Sequence, residues 1–100
     1  MQSFHEQWDL LVTPTLPISP FVAGHNVPPG EKYTDWMDWT PFSYPFNLTQ
    51  QPAASLPCGL DDNGLPVGLH LVGGKFQDMK VMHAAMLLEE MLPGLVYPKP

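Results

Sequence analysis

WTPFSYPFNLTQQPAASLPCGLDDNGLPVGLHLVGG, residues 39–74, joins a run of aromatic residues and prolines to two apolar segments separated by a turn signal. Within it, Ala53–Leu60 and Pro66–Val72 flank Asn63-Gly64, a dipeptide that accepts positive φ at both central positions of a tight turn and signals a hairpin. Antiparallel pairing is predicted. A two-residue turn at 63–64 sets Leu60 opposite Val67, Cys58 opposite Leu69 and Leu56 opposite Leu71, so that one face of the hairpin is wholly apolar. The opposite face then carries Ser55, Pro57, Gly59, Gly68, His70 and Val72, small or polar groups over which a helix or loop can pass closely. A longer turn changes this register.

Working upstream, Pro41–Thr49 reads as a short helix that Pro45 limits to a first turn and a restart. Thr34 or Asp35 is placed to cap a turn. Pro14, Pro17, Pro20, Gly24, Pro28, Pro29 and Gly30 make residues 14–35 an extended Pro/Gly-rich loop. A connection that long in a compact domain of this size counts against self-sufficiency, because loops beyond about 12–15 residues are usually lids or linkers. Before it, Ser3–Trp8 reads as the end of a helix. Asp9–Thr13 is a short apolar run closed by Pro14, the pattern of a strand buried on both faces and needing neighbours on each side.

Downstream, Gly73-Gly74-Lys75 lacks the spacing of a phosphate loop and reads as a strand-to-helix turn that needs backbone freedom. Asp78 then opens a helix as its N-cap, and Pro93-Gly94 is expected to stop it. Val81, Ala84, Ala85, Leu88, Met91 and Leu92 recur at helical spacing, while Met79, Met82, Met86 and Leu87 spread apolar surface round the circumference. A helix this apolar expects cover on more than one flank, which one hairpin does not supply. The elements together define an α/β class, and 1–100 reads as a single partial domain. No internal repeat is present.

Composition narrows the function. The chain has 100 residues, 13 prolines, 8 glycines, 44% apolar residues and 11% aromatics. That is far too apolar for a disordered segment, yet a chain of this length buries only about 60–68% of its unfolded surface. The net charge is -6, with Lys32, Lys75, Lys80 and Lys99 as the only cations and no arginine. Nothing is left to neutralise a phosphate backbone, so nucleic-acid binding is not expected. No apolar run approaches the ~20 residues needed to cross a bilayer, and Met1–Leu11 carries Glu6 and Asp9 instead of a positive leader region. A soluble, unsecreted protein without a membrane partner is the expectation. The single cysteine, Cys58, excludes an intramolecular disulfide framework and fits the reducing cytoplasm.

None of the serines, Ser3, Ser19, Ser43 and Ser55, stands in a GxSxG elbow, an SxxK pair or a glycine-rich loop. Cys58, inside a predicted strand, reads as a buried structural thiol. His5, His25, His70 and His83 are too dispersed for a zinc cluster, so a metal site is not expected. His70 reads as a hydrogen-bonded packing residue. The pairs Asp35 with Asp38, Asp61 with Asp62 and Glu89 with Glu90 suit solvated turns and helix ends, whereas acid/base catalysis needs burial. Asn47-Leu48-Thr49 matches a glycosylation acceptor, but no secretory signal accompanies it; Asn47 is better read as tying down backbone at the helix-to-strand junction. Trp36, Trp39, Phe42, Tyr44 and Phe46 are dense enough to form an apolar wall of the kind that lines small-molecule clefts.

Phe46-Asn47-Leu48-Thr49, Gln51-Pro52-Ala53, Leu56-Pro57-Cys58-Gly59 and Gly64-Leu65-Pro66-Val67-Gly68-Leu69, in that order, resemble the C-terminal part of the amidase signature family. Asp9–Thr15 and the helix near Asp78–Met91 extend the likeness over nearly the whole chain. Those enzymes hydrolyse carbon-nitrogen amide bonds. One departure is Gln50-Gln51, where many relatives place glycine before the glutamine or asparagine. The resemblance implies a C-terminal fragment of the family's mixed-sheet fold, with a buried strand, a β-hairpin and a C-terminal helix. It implies that Asn47, Thr49 and Pro52 build a tight corner beneath the pocket, and that Trp36, Trp39 and Tyr44 are substrate-binding candidates on the acyl side. The family's Ser-cis-Ser-Lys triad has no counterpart here, so no catalytic residue carries over, and the resemblance implies no metal or organic cofactor. The expected function is the structural and substrate-wall portion of an amidase-signature hydrolase acting on a small-molecule amide. The alternatives are a non-catalytic oligomerisation module and a fragment of an A-type amidotransferase subunit. Homo-oligomer formation, or association with an N-terminal portion of the enzyme, is the expected partnership.

Overall fold

The computed structural model describes residues 1–92. Its elements run α1 (Gln2–His5), β1 (Leu10–Pro14), a 3-10 turn (Trp36–Trp39), α2 (Tyr44–Thr49), β2 (Ala53–Leu60), β3 (Pro66–Gly73) and α3 (Asp78–Met91). Residues 15–35 carry neither helix nor strand, as the prolines there dictate. The three strands form one antiparallel sheet in the order β1-β3-β2. The end of the last helix expected at Pro93-Gly94 lies outside the described residues.

The hairpin is present, but its turn and register differ from expectation. The loop is Asp62-Asn63-Gly64, closed by hydrogen bonds from Asp61 N–H to Leu65 O at 2.8 Å and from Gly64 N–H to Asp61 O at 3.0 Å. Only Gly64, at φ 78°, takes the left-handed conformation, the arrangement of a three-residue hairpin loop with glycine as its bulge residue. The Asp61 carboxylate selects it, accepting from the N–H groups of Asn63 and Leu65, each at 2.9 Å, so the loop opens one residue earlier than the dipeptide alone indicates. That extra residue moves the register by one, which by itself turns Leu56 toward His70 and onto the wrong face. A β-bulge at Cys58, between Pro57 and Gly59, adds a second shift. Two single shifts restore the alternation, so Leu56 lies opposite Leu69 and Ala54 opposite Leu71. The apolar face survives with different partners.

That face is the core. Leu56, Leu71 and Val81 are buried together, with Leu10, Ala54, Leu69, Ala84, Ala85, Leu88 and Leu92 packed round them. α3 therefore lays its Val81, Ala84, Ala85, Leu88 stripe on the sheet, as the spacing predicts. The approach is close: a Cβ on Gly73 would lie 2.5 Å from Val81 Cγ2. The helix's other flank is bare, with Met79, Met82, Met86, Leu87 and Met91 all exposed.

β1 corrects a second expectation. It is an edge strand in which Leu10, Leu11 and Thr13 are half-buried while Val12, at 54%, and Pro14 are exposed, and none is buried on both faces. Among the described residues its one neighbour is β3. A continuous apolar run reads as doubly buried, but the described residues supply no second layer over Val12.

Candidate functional site

The polar face of the sheet is covered by α2 and by the turn that follows it. Ser43 N-caps α2 and Pro45 sits in its first turn, where a missing N–H is no loss. The helix ends at Gln50, which adopts φ 56° and ψ 40°. This left-handed position is one that glycine occupies without steric cost, and it explains why a glycine suits it in the family pattern.

Gln51 then makes the corner. Its amide nitrogen donates to Gly73 O at 2.9 Å and lies 2.8 Å from His5 Nε2, while its Oε1 accepts from the Thr49 hydroxyl at 2.7 Å. Because that nitrogen only donates, His5 Nε2 accepts, and the proton sits on Nδ1, which faces Trp8 O at 3.2 Å. Gly73 N–H returns a bond to Pro52 O at 3.0 Å. One side chain thus joins α1, the end of α2 and the end of β3. Thr49 and Pro52 take the roles expected of them. Asn47 does not: among the described residues its side chain makes no hydrogen bond, while its backbone carbonyl accepts from Gln50 N–H at 3.3 Å. The side chain that sequence reasoning missed is Gln51, whose partners lie 22 and 46 residues away.

The corner floors an open cleft of about 640 Å³, lined among others by His5, Glu6, Asp9, Gln51, Lys75 and Lys80. Two of its charged groups pair, Lys80 Nζ lying 3.1 Å from Asp9 Oδ1. Both ring nitrogens of His5 are committed, so the cleft presents polar walls without a free imidazole.

Behind it, His70 is 7% exposed, with the Phe46 ring at its edge at a centroid distance of 5.7 Å. Thr13 Oγ1 lies 3.2 Å from His70 Nδ1 and gives its own proton to Pro14 O at 2.9 Å, so the ring donates to it. Burial pushes the His70 pKa below the ordinary histidine value. This is a neutral packing histidine, as the sequence indicated. Next to it Ser55 and Thr15 hydroxyls meet at 2.6 Å, and Gly68 leaves room for them, since a Cβ there would lie 2.5 Å from Thr15 Oγ1.

The aromatic residues divide among separate contacts. Trp36 meets Tyr44 edge to face at 6.5 Å, Trp39 meets Phe21 at 5.0 Å, and Phe46 goes to His70. Trp39 Nε1 is anchored to Asn26 O at 2.7 Å. Asp35 caps the 3-10 turn carrying Trp36 and Trp39, accepting from Met37 N–H at 3.2 Å while Asp38 reaches back to Asp35 N–H at 3.0 Å. The backbone N–H groups of Thr34 and Asp35 hold the Asp38 carboxyl below its usual range. Trp36, Trp39 and Tyr44 line neither the cleft beside Gln51 nor a smaller one of about 310 Å³ beside Ser19 and Asp61.

Nothing in this arrangement amounts to a nucleophile with its base. Among the described residues no serine hydrogen-bonds to a histidine; Ser19 donates to Asp61 at 2.9 Å and Ser55 meets Thr15. Cys58 sits at the bulge with its thiol 3.5 Å from Val67 O. No three histidine, cysteine or carboxylate side chains among the described residues converge in ligating geometry. No described helix is long and apolar enough to cross a membrane.

A three-stranded sheet, one covering helix and a glutamine-pinned corner, in this chain order, match a known family. The family model described as Amidase matches residues 1–82, and the chain belongs to that family. Among curated relatives, the A-type subunit of glutamyl-tRNA(Gln) amidotransferase from Halothermothrix orenii is 37% identical over 87 residues, covering 87% of this chain and 17% of the relative. Its counterpart of the same name from Thermosynechococcus vestitus is 39% identical, covering 88% of this chain and 18% of the relative. Among solved structures, a 6-aminohexanoate cyclic dimer hydrolase superposes with a TM-score of 0.67 at 30% identity, over 93% of this chain and 21% of that one. The chain thus spans less than a fifth of the length of these curated relatives.

Proposed function

We propose that this chain supplies framework and part of the substrate wall to an amidase-family active site whose nucleophile lies on other polypeptide. The observation that carries this is the combination of a fold matched over 93% of the chain with serine hydroxyls, Ser55 and Ser19, engaged by Thr15 and Asp61 and not by a base able to activate them. In the complete site a serine attacks the amide carbonyl, a second serine and a lysine move the proton, and water releases the acid. Trp36, Trp39 and Tyr44 bound the acyl group of a small-molecule amide. The bare edge of β1 and the methionine flank of α3 are covered by the rest of the enzyme or by a second copy.

A second reading, an A-type amidotransferase subunit that passes ammonia to an activated carboxyl group, is favoured by the names of the curated relatives. A chimera tests both. The matched segment of the 6-aminohexanoate cyclic dimer hydrolase is replaced by this chain, and the product is assayed for amide hydrolysis. Retained hydrolysis, with KM raised by Trp36→Ala, Trp39→Ala or Tyr44→Ala at unchanged thermal stability, supports the wall. Unchanged kinetics in all three variants contradicts it, and activity recovered only when the same exchange is made in an amidotransferase favours the transferase.

A further inference from the structure

We infer that Asn63 is a site of spontaneous deamidation through a succinimide, and that the hairpin turn holding it sets the rate. Asn63 and Gly64 are both exposed at the tip of the loop. The Asn63 side chain makes no hydrogen bond among the described residues, and Gly64 offers no obstruction, since even a Cβ there would meet nothing within 4 Å. The other asparagines precede bulky residues, Asn26 before Val27 and Asn47 before Leu48, whose side chains crowd the same ring closure. Asn47 also lies inside α2, where helical dihedrals hold the backbone.

The step balances with water as the only co-reactant. The Gly64 backbone nitrogen loses its proton to hydroxide and attacks Asn63 Cγ, forming a carbon-nitrogen bond. The side-chain nitrogen leaves as ammonia, and water then opens the five-membered ring at either carbonyl. The product is aspartate or isoaspartate at position 63, with one added negative charge beside Asp61 and Asp62.

The structure also supplies a brake. The proton that must leave Gly64 is the one donated to Asp61 O at 3.0 Å. Asp61 is itself held in place, its carboxylate accepting from Asn63 N–H, Leu65 N–H and the Ser19 hydroxyl, each at 2.9 Å. Reaction therefore waits for the turn to open. Once isoaspartate forms, the backbone runs through the former side chain and gains an atom inside a three-residue loop, straining the Asp61–Leu65 closure.

The full chain is incubated at mildly alkaline pH in ammonia-free buffer, with and without urea, and mapped by peptide mass and isoaspartyl methylation. The expected result is a gain of about one dalton confined to the peptide carrying Asn63, abolished in Asn63→Gln and at least about fivefold faster in urea, where local opening is no longer needed. Asp61→Ala, which removes the carboxylate bonds, is expected to accelerate the folded-state reaction. Modification of Asn26 or Asn47 ahead of Asn63, or no gain at Asn63, overturns the assignment. Equal rates with and without urea overturn the role of the turn.

Discussion

With Phe76, Gln50 is one of two described residues other than glycine with a positive φ. It closes α2 in the left-handed conformation, which costs an L-residue roughly 1–2 kcal/mol. Glycine removes that cost and gives part of the gain back as unfolded-state entropy. Gln50→Gly is therefore expected to stabilise the fold by about 0.5–1 kcal/mol, raising the melting temperature by roughly 2–6 °C; a lower melting temperature contradicts this. His70 makes a prediction in pH. Its pKa is lowered by burial, so the folded state favours the neutral ring. Stability from this group is complete above the unfolded pKa of about 6.5 and falls as the pH drops through that value toward the folded pKa. Asp38 and Asp61, whose carboxyls are held low chiefly by the N–H groups of Thr34 and Leu65 respectively, lose their contribution only in the acid range of carboxylate titration. Melting curves between pH 5 and 7.5 are expected to show a decline that His70→Gln flattens. A decline unchanged in that variant places its origin elsewhere.

At the scale of elements, the hairpin depends on a pair of irregularities that cancel. The loop and the Cys58 bulge each shift the register by one, and together they keep Leu56 on the helix side. Deleting Cys58 takes out the bulge residue itself and leaves Pro57 opposite Gly68, Leu56 opposite Leu69 and Ala54 opposite Leu71, so both core residues stay on the α3 side. A buried leucine is worth about 1.5–3 kcal/mol; because Leu56 keeps its place, the deletion is expected to destabilise by less than that and to keep a cooperative melt. Cys58→Ala keeps the residue count and is expected to cost less than about 1 kcal/mol, since the half-buried thiol makes one long contact. Loss of the cooperative melt on deletion contradicts this register. The same detail shows what sequence could reveal. The hairpin, α3 with its Val81 stripe and the Asp35 cap were legible, because period and capping are local signals; the N-cap expected at Asp78 falls instead at Gln77, with Asp78 in the first turn and no side-chain cap bond. The register was not, because Asp61 selects the turn through its side chain and Pro57 and Gly59 flank a bulge that no dipeptide signals. The Gln51 corner was hidden for a different reason: its partners, His5 and Gly73, are brought to it only by the completed sheet.

Taken whole, the molecule buries few residues for its size. Leu56, Leu71, Val72 and Val81 form the buried apolar set among the described residues, while Val12, Met79, Met82, Met86 and Met91 face outward. Family membership was legible in the central segment because its prolines, glycines and glutamine fix a corner and a hairpin that physical chemistry permits in few other ways. The whereabouts of Trp36, Trp39 and Tyr44 were not, since aromatic density says nothing about which neighbours a long loop will offer; Phe21 and Asn26 supplied them for Trp39. That these residues frame a reaction they do not perform is a proposal, and it is put to the test by measuring ammonia or amine release from simple aliphatic and aryl amides by the purified chain against a heat-killed control. No release above the control is predicted; turnover that disappears on substituting Ser55 or His70 would contradict the claim.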